Sequence, residues 1–129
     1  MSALDLDINA ASSTGFEPQF AGALAYLAGP FSGIIVLLAE RTNRYVRFHA
    51  WQAIIGLGGL GLLTIAVLLG AFLGLLISPA LFKTLYIAAG ISGLLWLVAW
   101  GTCLVKAFRG SAWKLPLAGD LAERRVVAD

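Results

Sequence analysis

The segment Glu40-Arg-Thr-Asn-Arg-Tyr-Val-Arg-Phe-His-Ala-Trp-Gln52 separates the first long apolar run of this 129-residue chain from the second. It contains the single histidine, three arginines, and a tyrosine and a tryptophan of the kind enriched at membrane–water interfaces. Thr42 or Asn43 can cap a helix that begins near Arg44 and continues without a breaker into the second apolar run. We therefore expect this segment to lie at a membrane surface and to lead into a transmembrane helix.

The composition excludes an ordinary soluble domain. Hydrophobic residues make up 60% of the chain and charged residues 12%, whereas soluble domains have about 45–50% and about 25%. Residues 50–82 and 84–105 contain no charged side chain. Both stretches exceed the roughly 18 apolar residues that indicate a transmembrane helix. The chain is therefore predicted to be an integral membrane protein.

Three spans are predicted, at about residues 20–39, 53–77 and 85–105, and they form an all-α three-helix bundle within residues 20–108. The first span has the length of about 30 Å that matches the hydrocarbon core, with a kink at Pro30. Residues 1–19 carry no Lys or Arg and are predicted to be a flexible tail. Residues 109–129 are predicted to be a basic, amphipathic cytoplasmic tail.

Small residues four apart and mid-span tryptophans are typical of positions where membrane helices pack closely. A tryptophan in the middle of a span must also place its indole N–H against a partner, either another helix or a bound molecule. The predicted helix-packing residues are Gly29, Pro30, Gly33, Gly70, Gly74, Trp96 and Trp100.

The distribution of basic residues predicts the topology. Three spans place residues 40–52 and the C-terminal tail on one face, with eight of the nine Lys and Arg residues, and leave only Lys83 on the other. Because basic loops stay in the cytoplasm, the N-terminus is expected outside and the C-terminus inside.

The sequence contains few of the residues and motifs that catalysis requires. No ionisable residue lies inside a predicted span, and neither a phosphate-binding glycine loop nor a pair of catalytic carboxylates is present. The single Cys103 cannot form an intramolecular disulfide, and a metal site built on it and one distant histidine is improbable. We expect no enzymatic activity, no cofactor, no metal and no nucleic-acid partner.

The cytoplasmic face is predicted to be a compact basic platform that contacts anionic lipid headgroups or a partner protein. Within it, the Arg47 guanidinium can stack on Trp51, and the tail is expected to fold back so that Asp120 or Glu123 meets Arg44 or Arg47. The residues assigned to this face are Arg41, Arg44, Arg47, His49, Trp51, Gln52, Lys114 and Asp120.

Four interpretations of His49 stay open at this point. It can hydrogen-bond Gln52 or a backbone carbonyl of the C-terminal tail, contact a lipid phosphate together with Arg47, or contact a partner protein. Axial ligation of a haem or chlorophyll is the fourth.

Two segments resemble a known family. Tyr45-Val-Arg-Phe-His-Ala-Trp-Gln52, after Leu37-Leu-Ala-Glu40, is similar to the signature of small three-span bacterial membrane proteins. These proteins are grouped with the chloroplast inner-envelope import component of the Tic family and with magnetosome-membrane proteins. The segments Lys106-Ala-Phe-Arg-Gly110, Trp113-Lys-Leu-Pro116 and Gly119-Asp-Leu-Ala122 resemble the C-terminal tail of that family.

The resemblance covers about residues 21–123 and implies a fold and a topology more than an activity. It departs from the family pattern at Ala53, where a serine is usual, and at Trp51 and Ala118. The import relationship implies a polypeptide channel or its assembly factor.

We therefore predict an accessory or scaffolding subunit of a larger membrane assembly, in a bacterial cytoplasmic membrane or one derived from it. Its expected partners are anionic lipids and other integral membrane proteins or further copies of itself. One alternative is an oligomeric translocation or permeation channel, whose lumen would use Ser32, Thr64, Ser92 and Thr102. Another is a cofactor-carrying subunit that uses His49.

Overall fold

The computed structural model describes residues 7–128, and the side-chain environments of residues 8–127. Residues 1–6 of the predicted N-terminal tail and the final Asp129 therefore lie outside the described residues. The helices are α1 (Pro18–Leu27), α2 (Pro30–Ala39), α3 (Arg44–Gln52), α4 (Gly58–Gly74), α5 (Pro79–Phe108) and α6 (Ala118–Ala128). A 3-10 turn covers Asp7–Asn9, and this part of the chain contains no strand. The predicted all-α class is confirmed.

Helices α3 and α4 form one continuous rod, Arg44–Gly74, with a π-helical turn at Ala53–Leu57 between them. The rod begins at Asn43, whose side chain accepts a hydrogen bond from the backbone N–H of Val46 at 3.2 Å. This rod and α5 are both long and apolar enough to cross a membrane, and little of either is buried inside the protein. Their exposed leucine, isoleucine and phenylalanine side chains are suited to lipid.

Helices α4 and α5 are joined by a tight turn and pack along each other as an antiparallel pair. Helix α5 starts at Pro79, after Ser78 caps it by accepting from the N–H of Leu81 at 3.1 Å. A Cβ added to Gly74 would lie 3.0 Å from Leu81 Cγ, so this glycine permits the close approach. Further along the pair, the Thr64 and Ser92 hydroxyls are 2.6 Å apart and hydrogen-bonded.

The stretch 20–39, predicted as one kinked span, is instead divided into the two ten-residue helices α1 and α2. The division occurs at Gly29, whose φ of 63° and ψ of −134° belong to a conformation that only glycine adopts easily. Ser32 Oγ accepts a hydrogen bond from Ala28 N–H at 2.8 Å and donates to the Ala25 carbonyl at 2.9 Å. These bonds satisfy part of the non-helical backbone at the turn, as membrane depth requires. At about 15 Å each, neither helix can cross the hydrocarbon core alone.

Helices α1 and α2 pack against each other, and the segment starts and ends at the same end of the molecule. Before α1, Ser13 Oγ donates to a Glu40 carboxylate oxygen at 3.1 Å, and the Ala10 carbonyl accepts from Asn43 Nδ2 at 3.1 Å. The two helices therefore form a helical hairpin, named here the α1–α2 hairpin. In the described residues the segment before α1 and the chain after α5 therefore lie at the same end of the molecule, whereas the predicted orientation in the membrane stays a prediction.

The tail packs back onto α3, but not through the ion pairs that were predicted. Phe48 of α3 is buried against Ala122 and Val126 of α6, so the contact is apolar. Asp120 and Glu123 contact Lys114 rather than Arg44 or Arg47.

Candidate functional site: a buried polar clasp

The buried polar groups of the protein gather where the α1–α2 hairpin, α3 and the chain after α5 meet. Tyr26 comes from α1, whereas His49 and Gln52 lie three residues apart on one face of α3. All three side chains are fully buried. Together with the backbone of residues 111–115 they are named the clasp.

The Ser111 carbonyl assigns the tautomer of His49. This carbonyl can only accept, so His49 Nε2, at 3.1 Å, carries the proton and donates to it. In the neutral ring Nδ1 then accepts from the Tyr26 hydroxyl at 2.6 Å, and that hydroxyl accepts from Gln52 Nε2 at 2.8 Å. Both ring nitrogens are thereby used inside the protein.

The side-chain amide of Gln52 pairs with the backbone of the C-terminal segment through one donated and one accepted hydrogen bond, as the backbone of a neighbouring β-strand would. Its Nε2 donates to the Trp113 carbonyl at 3.0 Å, and its Oε1 accepts from the Leu115 N–H at 2.9 Å. With the bond to Tyr26, both amide protons and the carbonyl oxygen are satisfied. Only an amide of this length supplies two donors and one acceptor in this arrangement, because Glu lacks the donors and Asn is shorter.

The His49 ring of the clasp is closely packed against Tyr45 and Gly22. The Tyr45 ring lies 4.6 Å from the His49 ring between centroids, at an interplanar angle of 77°. A Cβ added to Gly22 would lie 3.1 Å from His49 Cδ2, so α1 approaches as closely as a glycine allows. The Tyr45 hydroxyl donates to the Ala107 carbonyl at 2.6 Å and ties α3 to the end of α5.

A second polar centre is the buried carboxylate of Glu40, between α2 and α3. It accepts from the Ser12 hydroxyl, from Ser13, and from the Asn43 N–H at 2.8 Å. Burial by itself raises the pKa of this carboxyl, but the bonds from Ser12 and from three backbone N–H groups outweigh it and lower the pKa to about 2. Glu40 thereby holds the chain before α1 against the loop after α2.

The residues assigned to the basic face divide into exposed and internal ones. Arg41, Arg44 and Asp120 are exposed, and Arg47 donates to the Glu40 carbonyl at 2.7 Å. His49 and Gln52 are fully buried and cannot meet a lipid headgroup or a partner protein without unfolding the clasp.

The predicted stacking on Trp51 has a different partner, because the guanidinium over its ring, at 5.5 Å from the centroid, belongs to Arg125. Lys114 meets Glu123, which raises the pKa of the lysine.

Most of the predicted packing residues lie at helix contacts. A Cβ added to Gly33 would lie 3.0 Å from the Ala50 carbonyl, and a Cβ on Gly58 would lie 3.3 Å from Pro30. The indole N–H groups donate to backbone carbonyls, that of Trp96 to Leu57 at 2.8 Å and that of Trp100 to Tyr26 at 2.7 Å. Gly70 differs from them, because nothing lies within 4 Å of its Cβ position.

Sequence reasoning missed Tyr26 and the role of the Glu40 side chain. Tyr26 could have been identified from the sequence, because it is the single residue with a polar ring substituent inside the first apolar run. The buried role of Glu40 is not indicated by the sequence, because a carboxylate at the end of an apolar run is ordinarily solvated. Its serine partners lie 27 and 28 residues earlier in the chain.

The described residues contain no group of three or more His, Cys, Asp or Glu side chains that could hold a metal ion. The Trp51 Nε1 is the one buried side-chain N or O atom in this part of the chain without a hydrogen-bond partner.

These features define an all-helical membrane protein whose buried polar groups join its own segments. More particularly, the chain belongs to the magnetosome magnetite crystal formation protein family, MamF/MmsF, which matches residues 17–122. The predicted link to magnetosome-membrane proteins is thus confirmed, while the relation to the chloroplast import component stays a prediction.

Relatives occur in archaea. A UPF0132 membrane protein of Archaeoglobus fulgidus is 38% identical over 110 residues, which cover 85% of this chain and 96% of the relative. A UPF0132 membrane protein of Methanocaldococcus jannaschii is 34% identical over 113 residues, covering 88% and 92%. No solved structure matches the chain.

Proposed function

We propose that this chain is a non-catalytic integral membrane protein that acts as an accessory or scaffolding subunit of a larger membrane assembly. The observation that carries the proposal is the clasp, in which Tyr26, His49 and Gln52 use their polar atoms to join three segments of the chain. Such an arrangement builds a rigid platform rather than a reactive centre, because none of these groups faces a space for substrate.

The positions of the Lys and Arg residues support a choice of orientation and of partners. Eight of nine Lys and Arg residues lie at the clasp end of the long helices, and Lys83 lies at the other end. We place the clasp end in the cytoplasm, in a bacterial inner membrane or one derived from it. Exposed Arg41 and Arg124 then face anionic lipids and a membrane-protein partner or a second copy. An accessory role also agrees with the family description, which refers to magnetite crystal formation.

The channel alternative receives no support from the polar side chains that a lumen would need. Ser32 bonds the backbone of its own hairpin, and Thr64 and Ser92 bond each other across α4 and α5. The cofactor alternative requires a free His49 nitrogen, and both are engaged. A reproducible protein-dependent current in planar bilayers would favour the channel. A visible absorption band that disappears in His49→Ala would favour the cofactor.

The proposal is tested by cross-linking in native membranes followed by purification in mild detergent. We expect one defined complex for the wild-type protein and for Lys83→Glu, which reverses charge at the far end of the molecule. We expect loss of that complex for the double variant Arg41→Glu/Arg124→Glu, whose side chains are exposed at the clasp end. Recovery of the wild-type protein alone and monomeric after cross-linking would overturn the scaffold role.

A further inference from the structure

The α1–α2 hairpin occupies only one end of the long helices. Its tip reaches Trp96, whose Cζ2 lies 3.1 Å from the Cβ position of Gly29, and Gly58, which faces Pro30. At 1.5 Å per residue, Gly58 lies about 21 Å along its rod from Arg44, and Trp96 about 18 Å from Phe108. The rods are 31 and 30 residues long, so the hairpin ends near their middle. It therefore adds protein to a single leaflet.

The opposite leaflet contains only α4 and the first half of α5 among the described helices. The two helices pack on each other through Thr64 and Ser92 and through the rings of Phe72 and Phe82. Around them the apolar side chains face outward: Leu73, Leu76 and Ile77 are 67%, 85% and 79% exposed. Lipid tails must fill this space.

The protein is consequently wedge-shaped. Four helical segments cross the leaflet at the clasp end and two cross the other leaflet. With a helix diameter of about 10 Å including side chains, the difference of two helices amounts to about 160 Å² of cross-section. A flat bilayer gives its two leaflets equal area, so lipid must spread or crowd to compensate for the difference.

Helix α6 adds further protein at the clasp end. Its outer surface exposes the apolar Leu121 and Val127 beside the basic Arg124, and Leu117 just before it is 82% exposed. A basic amphipathic helix of this kind lies at the boundary of headgroups and acyl chains, and its binding is sensitive to curvature.

We propose that the protein prefers strongly curved membranes in which the clasp-end leaflet is the convex one, and that its partner at the hairpin is that convex lipid monolayer. A convex leaflet has more area at the headgroup level than the leaflet opposite it, so it receives the wide end of the wedge without a lipid packing defect. This inference rests on the membrane insertion of the proposed function, but not on a protein partner.

The test uses the purified full-length chain, with a dye at its C-terminus, reconstituted into vesicles of phosphatidylcholine and phosphatidylglycerol of mixed size. Protein density per membrane area is measured on single vesicles, and protease access to the C-terminus sorts the two orientations. With the clasp end outward, we expect density to be at least about threefold higher in vesicles of about 25 nm radius than of about 200 nm. With the clasp end inward, we expect protein density to be lower in the small vesicles than in the large ones.

Three sets of variants change the wedge without changing the clasp. Phe31→Ala/Ile35→Ala/Leu38→Ala trims lipid-facing side chains of α2, each more than two-thirds exposed, and should reduce the preference. The matched control Leu73→Ala/Leu76→Ala/Ile77→Ala trims the narrow end and should retain or increase it. Gly70→Leu/Gly90→Leu widens the narrow end at positions with no neighbour within 4 Å, and should reduce the preference with the hairpin intact.

Equal wild-type density in small and large vesicles of either orientation would overturn the proposal, and so would identical effects of trimming the two ends. Because the purified protein is alone in these vesicles, loss of the partner complex in native membranes would leave the curvature result unchanged. The failures of the two proposals are therefore distinguishable.

Discussion

Gln52 Oε1 accepts a hydrogen bond from the Leu115 N–H across 63 positions of sequence, at 2.9 Å. With the reciprocal bond from Gln52 Nε2 to the Trp113 carbonyl, one side chain holds the extended segment after α5 against α3. The position of α6, and with it the shape of the basic face, depends on this amide.

Replacing Gln52 should release the C-terminal segment. In Gln52→Glu the two donors to Trp113 and Tyr26 are lost and a charge is buried, so we expect a loss of about 2–4 kcal/mol in the free energy of unfolding in detergent micelles. Trypsin should also cut faster at Lys114. Gln52→Met, which loses the bonds without adding a charge, should cost less. Wild-type stability of Gln52→Met would contradict a role that depends on the donors.

The hydroxyl of Tyr26 should contribute more than that of Tyr45, although both rings are fully buried. Tyr26→Phe leaves His49 Nδ1 and one Gln52 N–H without partners, and we expect a cost of about 1–3 kcal/mol. Tyr45→Phe removes the bond to the Ala107 carbonyl and should cost about 1 kcal/mol. Thermal unfolding in one detergent compares the pair, and a reversed order would argue against the clasp as the centre of stability.

Glu40 should make stability depend on pH in the acidic range. Its folded pKa of about 2 lies below the ordinary value of 4.5, so its contribution is present above pH 4.5 and is lost as pH falls toward 2. The difference corresponds to about 3 kcal/mol at neutral pH. Glu40→Gln should therefore lower the melting temperature clearly at pH 7 and little at pH 2.5. Glu17→Gln, which changes an exposed carboxylate, is the matched control and should behave as wild type at both pH values.

The α1–α2 hairpin predicts which residues share a side of the membrane. In a Cys103→Ala background, single cysteines at Ala11, Lys83 and Arg124 should react with an impermeant maleimide according to their side. We expect Ala11 and Arg124 to be labelled together and Lys83 from the other side. Labelling of Ala11 together with Lys83 would restore the three-span topology and refute the hairpin.

Two glycines that the sequence groups together should respond differently to the same change. Gly33→Ala places a Cβ 3.0 Å from both the Ala50 carbonyl and the Ala53 Cβ, and we expect it to cost about 1–3 kcal/mol of stability. Gly70→Ala meets no neighbour within 4 Å and should be neutral or stabilising by up to about 1 kcal/mol. Equal effects, measured by unfolding in micelles, would contradict the close contact of α2 with α3.

The membrane class, the helical fold and the two long spans follow from the sequence because apolar run length and charge clustering are local properties. The helix start at Asn43 follows for the same reason, since a cap acts on its own first turn. Among the interpretations of His49, the bond to a tail carbonyl could be proposed from sequence. The carbonyl that receives it, that of Ser111, could not be identified, because it lies 62 positions away.

The sequence by itself determined that this chain is a membrane protein and that its charged residues are concentrated at one end. Hydrophobicity and charge are properties of each residue independently. Only the tertiary structure decided that residues 20–39 turn back at Gly29 rather than continue as one helix. A 20-residue apolar run containing Gly29-Pro30 satisfies its backbone either as a kinked helix or as two short helices. The choice depends on distant partners: Trp100 bonds the Tyr26 carbonyl beside the turn, and Ser13 and Glu40 join the two ends of the hairpin.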